Sequence, residues 1–263
     1  MNPGQLLRDM LCLLGATALA WGFHFSARIL PTPWLVACWG LCTVLIAAAL
    51  LRRARIRRRA FLTVYIAAAS PMQGWLRGGL LLALRPALLA AVLALLLLAA
   101  LARVSDPRVW MALIGSVPLL ALMRAWLLGR LAAHVGALYL PILSWRLAAL
   151  GVGAALTLFL ALLAWHQSYP DFAAVSLERA VWHLVDQEQA RSEPARLLIQ
   201  AAAAKDGVRL WLAQQLMPAP ATSLVQGLGW LLVLAEEGLF VWSYLLFGHG
   251  ILIGAGSIDR TGP

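Results

Sequence analysis

Long apolar runs separated by short polar stretches make up most of this chain. A helix needs about 20 mainly apolar residues to cross a bilayer. Six segments reach or approach that length: Met10 to Phe25, Pro33 to Leu51, Gly79 to Ala102, Val109 to Gly129, Leu147 to Trp165 and Leu224 to Phe247. The first resembles a signal peptide at Ala16-Thr17-Ala18 and Ala18-Leu19-Ala20, but its leading segment is weakly charged and Trp21 follows at once. It is therefore read as a retained span.

Two further runs are shorter. Phe61 to Trp75 is interrupted by Pro71, Gln73 and Gly74, and Leu131 to Trp145 contains His134 and Pro141. Both are short for a span and read as interfacial or re-entrant helices on the cytoplasmic side. If only one of them crossed, the orientation of everything after it would invert.

The one sizeable polar region is residues 166–222. It carries six acids (Asp171, Glu178, Asp186, Glu188, Glu193, Asp206) and five bases (Arg179, Arg191, Arg196, Lys205, Arg209). Leu177, Ala180, Val181, Leu184 and Val185 recur at helical spacing. A second helix starts near Pro194, with Ser192 or Glu193 as cap, and is expected to break near Gly207. So few apolar residues cannot build an independent core, so this insert should lie on the membrane or on a partner. The resulting fold class is all-α: a polytopic membrane helix bundle of about six spans with a small extracytoplasmic helical insert. Residues 1–165 form the bundle, 166–222 the cap, and 223–263 the last span and a short tail.

Composition supports this reading. Hydrophobic residues make up 62% of the 263 residues, against about 45–50% in soluble domains. Charged residues make up 12%, against about 25%. Soluble globular and disordered chains are thereby excluded.

Charge then orients the chain. The net charge is +10, and Lys205 is the one lysine among 21 basic residues. Arg52, Arg53, Arg55, Arg57, Arg58 and Arg59 place six arginines in eight residues directly after the second span. An excess of arginine marks the cytoplasmic face, so this block is expected as a cytoplasmic loop in contact with anionic lipid, with both termini inside. No aromatics of the stacking kind are interleaved with it, so nucleic acid is not an expected partner. Arg103 and Arg108, in an outside loop, are an exception to the rule. The arginine-rich, lysine-poor composition suggests a bacterial source, hence the inner membrane.

The candidate chemistry is sparse. Glu236 and Glu237 lie inside the sixth run, and counting from Leu224 puts Glu236 roughly 18 Å deep, near the bilayer centre. An acid there costs about 2.5–3.5 kcal/mol. Adjacent residues point about 100° apart, so the two should not share a partner. Arg85, in the third run, is the expected counter-ion, while Arg124 sits nearer a boundary and can snorkel. The favoured reading is a structural ion pair or subunit contact; a proton or ion relay and a displaced helix are the alternatives.

His183 and Asp186 share a helix face, but zinc wants a third ligand. Cys12, Cys38 and Cys42 lie in apolar runs without metal-binding partners. No catalytic triad, zinc-protease, Walker or dinucleotide pattern is present, and no metal or cofactor is expected. Gly250 and Gly254, like Gly151 and Ala155, have the spacing for close helix approach. These features point to a non-enzymatic membrane subunit that scaffolds an envelope complex with other membrane subunits. A small ion- or proton-coupled transporter and an intramembrane lipid-modifying enzyme are the alternatives.

Overall fold

In hydrocarbon every backbone N–H and C=O must be satisfied within its own segment, which makes each apolar run a helix. The computed structural model describes residues 3–65, 80–136, 139–166, 170–172, 174–216 and 223–256. Among them are α1 (Pro3–Ser26), α2 (Thr32–Tyr65), α3 (Leu80–Arg103), α4 (Pro107–Leu131), α5 (Leu140–Trp165), α6 (Leu177–Val185), α7 (Glu193–Leu216) and α8 (Ser223–Gly254). All but α6 and α7 are long and apolar enough to cross a membrane, so the chain is a multi-pass membrane protein with six candidate spans.

Several boundaries differ from the sequence reading. The arginine block is no loop: α2 runs through residues 52–59 to Tyr65, a helix roughly 50 Å long. Arginine is a good helix former, and nothing in that stretch breaks the helix. Leu131 to Trp145 is not a separate element either. Leu131 ends α4, a turn follows, and α5 begins at Leu140 with Pro141 in its first turn, where a proline is tolerated. Phe61 to Tyr65 continue α2, and the rest of the run to Trp75 lies outside the described residues.

The last helix is the centre post. It packs against α1, α2, α3, α5 and the cap helix α7. From Ser243 to Gly250 every residue of α8 is buried. Small residues permit that crowding. A Cβ at Gly250 would run into the backbone carbonyl of Leu45 on α2, and one at Gly248 would meet Leu13 Cδ2 at 3.0 Å. Gly153 of α5 faces Leu245 in the same way, at 3.1 Å. The Gly250–Gly254 spacing therefore marks a close approach at its first member, while Gly254 has open space around it. Around the post, Leu13, Ala16, Ile46, Leu97, Leu113, Val152 and Leu246 form one continuous core. Outside it, Val44, Leu88, Val92, Leu122 and Leu150 are exposed, which suits a lipid-facing surface.

The cap is part of this assembly. Ser176 caps α6, accepting from the Arg179 N–H at 3.4 Å. The helix α7 does not break at Gly207 but runs through it. That glycine instead lets α7 cross α6, since a Cβ there would lie 2.9 Å from Val181 Cα. Phe172, Ala180 and Leu210 make a small cluster of the cap's own. Ala195 and Ile199, nearer the start of α7, join the main core, which seats the cap on the end of the bundle.

Replacing Gly250 with alanine is expected to destabilise the protein by about 1–3 kcal/mol through overpacking against the α2 backbone. Gly254→Ala should be neutral within about 0.5 kcal/mol. Thermal unfolding of the two variants in detergent checks this; equal midpoints would refute the close approach.

Candidate functional site

Charged side chains concentrate at the two ends of the bundle. At the cap end, α7 presents Lys205, Asp206 and Arg209 to α3 and α8. Lys205 Nζ pairs with Glu236 Oε1, and Arg209 Nη1 reaches Glu236 Oε2 at 3.1 Å and Glu237 Oε1 at 3.6 Å. Arg103, the last residue of α3, donates from Nε to Asp206 Oδ2 at 2.8 Å and pairs through Nη1 with Glu188. Glu188 also accepts from Arg28 Nη2 at 3.1 Å. Four bases and four acids thus form one chain of ion pairs from the α1–α2 turn, across the cap, to α8. The Arg191 N–H adds a backbone bond to the Arg28 carbonyl at 2.9 Å. A cleft of about 200 Å³ beside this network is lined by Arg103, Lys205, Arg209, Glu236, Glu237 and apolar residues of α3 and α5.

This geometry corrects the expected arrangement of the acidic pair. The two glutamates do share a partner. One arginine lies between them, long enough to reach both despite their different directions. Arg85 is not that partner. It is exposed near the start of α3, roughly 27 Å along the helix from Arg103. The same helix contributes Arg103 instead. Of the arginines expected outside, Arg28 and Arg103 pair with acids of the cap, while Asp106 caps α4, accepting from the Arg108 backbone N–H at 2.8 Å.

At the opposite end, Arg124 does not snorkel. Its side chain is buried, with the residue 3% exposed, and its Nη1 pairs with Asp9 of α1, also 3% exposed. The Arg124 guanidinium lies 5.9 Å from the Trp145 ring centroid. Trp145 in turn stacks on His249 of α8, with centroids 4.5 Å apart and planes 25° apart. The side chains of Arg52, Arg53 and Arg58 are half-buried, while Arg55 and Arg57 are exposed; the side chain of Arg59 lies outside the described residues. A second cleft, about 390 Å³, opens here between α2, α5 and α8.

Sequence reasoning missed Asp9, Lys205, Arg209, Trp145 and His249 as members of these groups. One signal was readable. Asp9 is a lone acid in the early turns of an apolar span, and Arg124 is a base in the later turns of another of opposite direction, so the two fall at similar depth. His183 contacts Gln187 at 3.2 Å and the Phe172 ring. Among the described residues no group of three His, Cys, Asp or Glu side chains gathers at metal-binding range. The three cysteines are free. No family model, curated protein or solved structure matches this chain.

Two outcomes follow from this geometry. Arg124→Leu leaves a buried Asp9 without its partner and should cost about 3–5 kcal/mol, whereas Asp9→Leu with Arg124→Leu should recover most of it. A double-mutant cycle on thermal unfolding measures the coupling; additive losses would contradict the pair. Arg209→Ala should loosen the cap and leave the bundle intact. Hydrogen exchange is the readout: faster exchange confined to α6 and α7 is expected, and an unchanged cap would contradict it.

Proposed function

We propose that this chain is a non-enzymatic subunit of the bacterial inner membrane that scaffolds or assembles a larger envelope complex, of the secretion or conjugation kind. In this reading the arginine end faces the cytoplasm and anionic lipid, and the cap faces the periplasm. The observation that carries it is the destination of Glu236 and Glu237. Acids at a membrane span are transport candidates by default. Here their charge is taken up by Lys205 and Arg209 of the cap, in a chain of ion pairs that ties cap to bundle. A cap fastened in this way presents a fixed surface. Its outer face carries exposed apolar side chains, among them Trp182, Leu177 and Leu197, a composition suited to protein contact.

A second reading, a small ion- or proton-coupled transporter, is favoured by the cleft of about 200 Å³ beside both glutamates. One experiment separates the two. A photo-cross-linking residue at Trp182 or Leu197 of the full chain, in its native membrane, should give a small set of discrete protein adducts that Arg209→Ala weakens. Adducts to lipid alone, together with loss of pH-dependent flux in liposomes carrying Glu237→Gln, would overturn the scaffold in favour of transport.

A further inference from the structure

The cleft at the arginine end has the makings of an anion site. Three elements far apart in sequence build it. From α2 come Arg53 and Arg57, from the first turns of α5 come Trp145 and Arg146, and from the end of α8 comes His249. Arg53 lies close enough to Arg57 and Arg146 for their charges to act on it. No carboxylate is among the cleft's described lining residues. Asp9, an acid at this end of the bundle, is engaged with Arg124. Guanidiniums gathered on one cleft wall repel one another, and the repulsion is relieved when an anion sits between them.

A second observation is independent of charge. His249 is 6% exposed and Trp145 2% exposed, yet among the described residues neither His249 Nδ1 nor Trp145 Nε1 has a hydrogen-bond partner. Both side chains line the cleft. Buried polar atoms are nearly always satisfied, and one left open at a cavity wall marks the place of a ligand atom or water. The indole N–H can only donate. The tautomer of His249 that carries its proton on Nδ1 would donate beside it.

We propose that this cleft binds a phosphate group, held by the guanidiniums of Arg53, Arg57 and Arg146 and by the donors of Trp145 and His249. Phosphate is the anion that suits the donor set. Its oxygens accept more hydrogen bonds than a carboxylate, and the guanidinium fork matches two of them at once. The volume, about 390 Å³, lies at the lower part of the range for small-ligand sites, about 300–1,000 Å³. Leu50, Ile56, Leu89 and Ile142 supply an apolar wall next to the charges, which would accept the glycerol and upper acyl segments of a phospholipid. A phospholipid headgroup and a soluble phosphate compound share this chemistry. The site is separate from the cap network, so its failure would leave the scaffold reading untouched.

The test uses the full chain, purified and delipidated in dodecyl maltoside, with thermal unfolding as the readout. The probes are inorganic phosphate, phosphatidylglycerol in mixed micelles, and diacylglycerol as a phosphate-free lipid, with sodium chloride matching ionic strength. A saturable rise in the unfolding midpoint is expected with a phosphate-bearing probe and none with diacylglycerol or chloride. Stabilisation by inorganic phosphate identifies a soluble source as sufficient. Stabilisation by phosphatidylglycerol alone identifies the lipid headgroup. Arg53→Gln and Arg146→Gln should raise the half-saturating concentration about tenfold or more, the loss of one charged hydrogen bond. Arg55→Gln removes the same charge from the same helix but lies outside the cleft, so it should change little. Because Arg146→Gln could impair folding, Arg146→Lys is tested beside it. It keeps the charge, loses the fork, and should still weaken binding. No shift with either phosphate probe would overturn the proposal. So would an effect of Arg55→Gln equal to that of Arg146→Gln, since that would mean unspecific attraction.

Discussion

The cost of charge in hydrocarbon organises this molecule. With 62% of its residues apolar, the chain has ample means to stay in a bilayer and few ways to place a charge there. The described ion pairs accordingly fall toward the two ends of the bundle, and the pairs that tie the bundle together join charges from different elements. Asp9 answers Arg124 across α1 and α4. Glu236 and Glu237 are answered by Lys205 and Arg209 of the cap. Between the ends, the middle is held by close packing and by isolated hydroxyls that find partners. Thr17 and the Tyr244 hydroxyl, for example, lie 2.6 Å apart and also satisfy backbone through the bond from Thr17 to the Leu13 carbonyl.

The centre post connects the two ends. Its middle turns present Glu236 and Glu237 to the cap, and its last turns carry His249 into the stack with Trp145. Gly248 and Gly250 flank His249, and their small size lets α1 and α2 approach the backbone. A membrane bundle gains little from burying apolar surface, because lipid is as apolar as a side chain. Dispersion contacts at short range must hold it together, and they require small residues at the crossings. This explains why glycines sit in helices that would otherwise be better formed without them.

The cap shows the same economy with polar groups. Its own cluster is small, built on Phe172, Ala180 and Leu210. Ordered chain segments come from side chains tying loops to helices, such as Trp211 Nε1 to the Val175 carbonyl at 2.9 Å and Gln214 Nε2 to the Pro170 carbonyl at 2.8 Å. Most of its attachment is borrowed from the bundle, through Ala195 and Ile199 in the core and the ion pairs along α7. The cap's shape therefore depends on the membrane part.

The sequence by itself determined the all-helical membrane class, the six candidate spans though not all of their ends, the amphipathic helix α6 and the start of α7. All of these follow from local information: length, hydropathy, helical period and capping residues act within a segment. The tertiary structure decided which charges meet. Arg85 and Arg103 stand on one helix, and it is Arg103 that meets the cap network, a choice that hydropathy and depth along a single helix do not reveal. Gly207 read as a helix breaker and serves as a crossing point, since whether a missing side chain is a weakness or a space depends on what lies opposite. The same holds for Trp145, His249 and the arginines of α2. Nothing in their spacing places them together; the packing of α2, α5 and α8 does, because ion pairs and clefts are made between helices and their partners are chosen by the order in which helices pack.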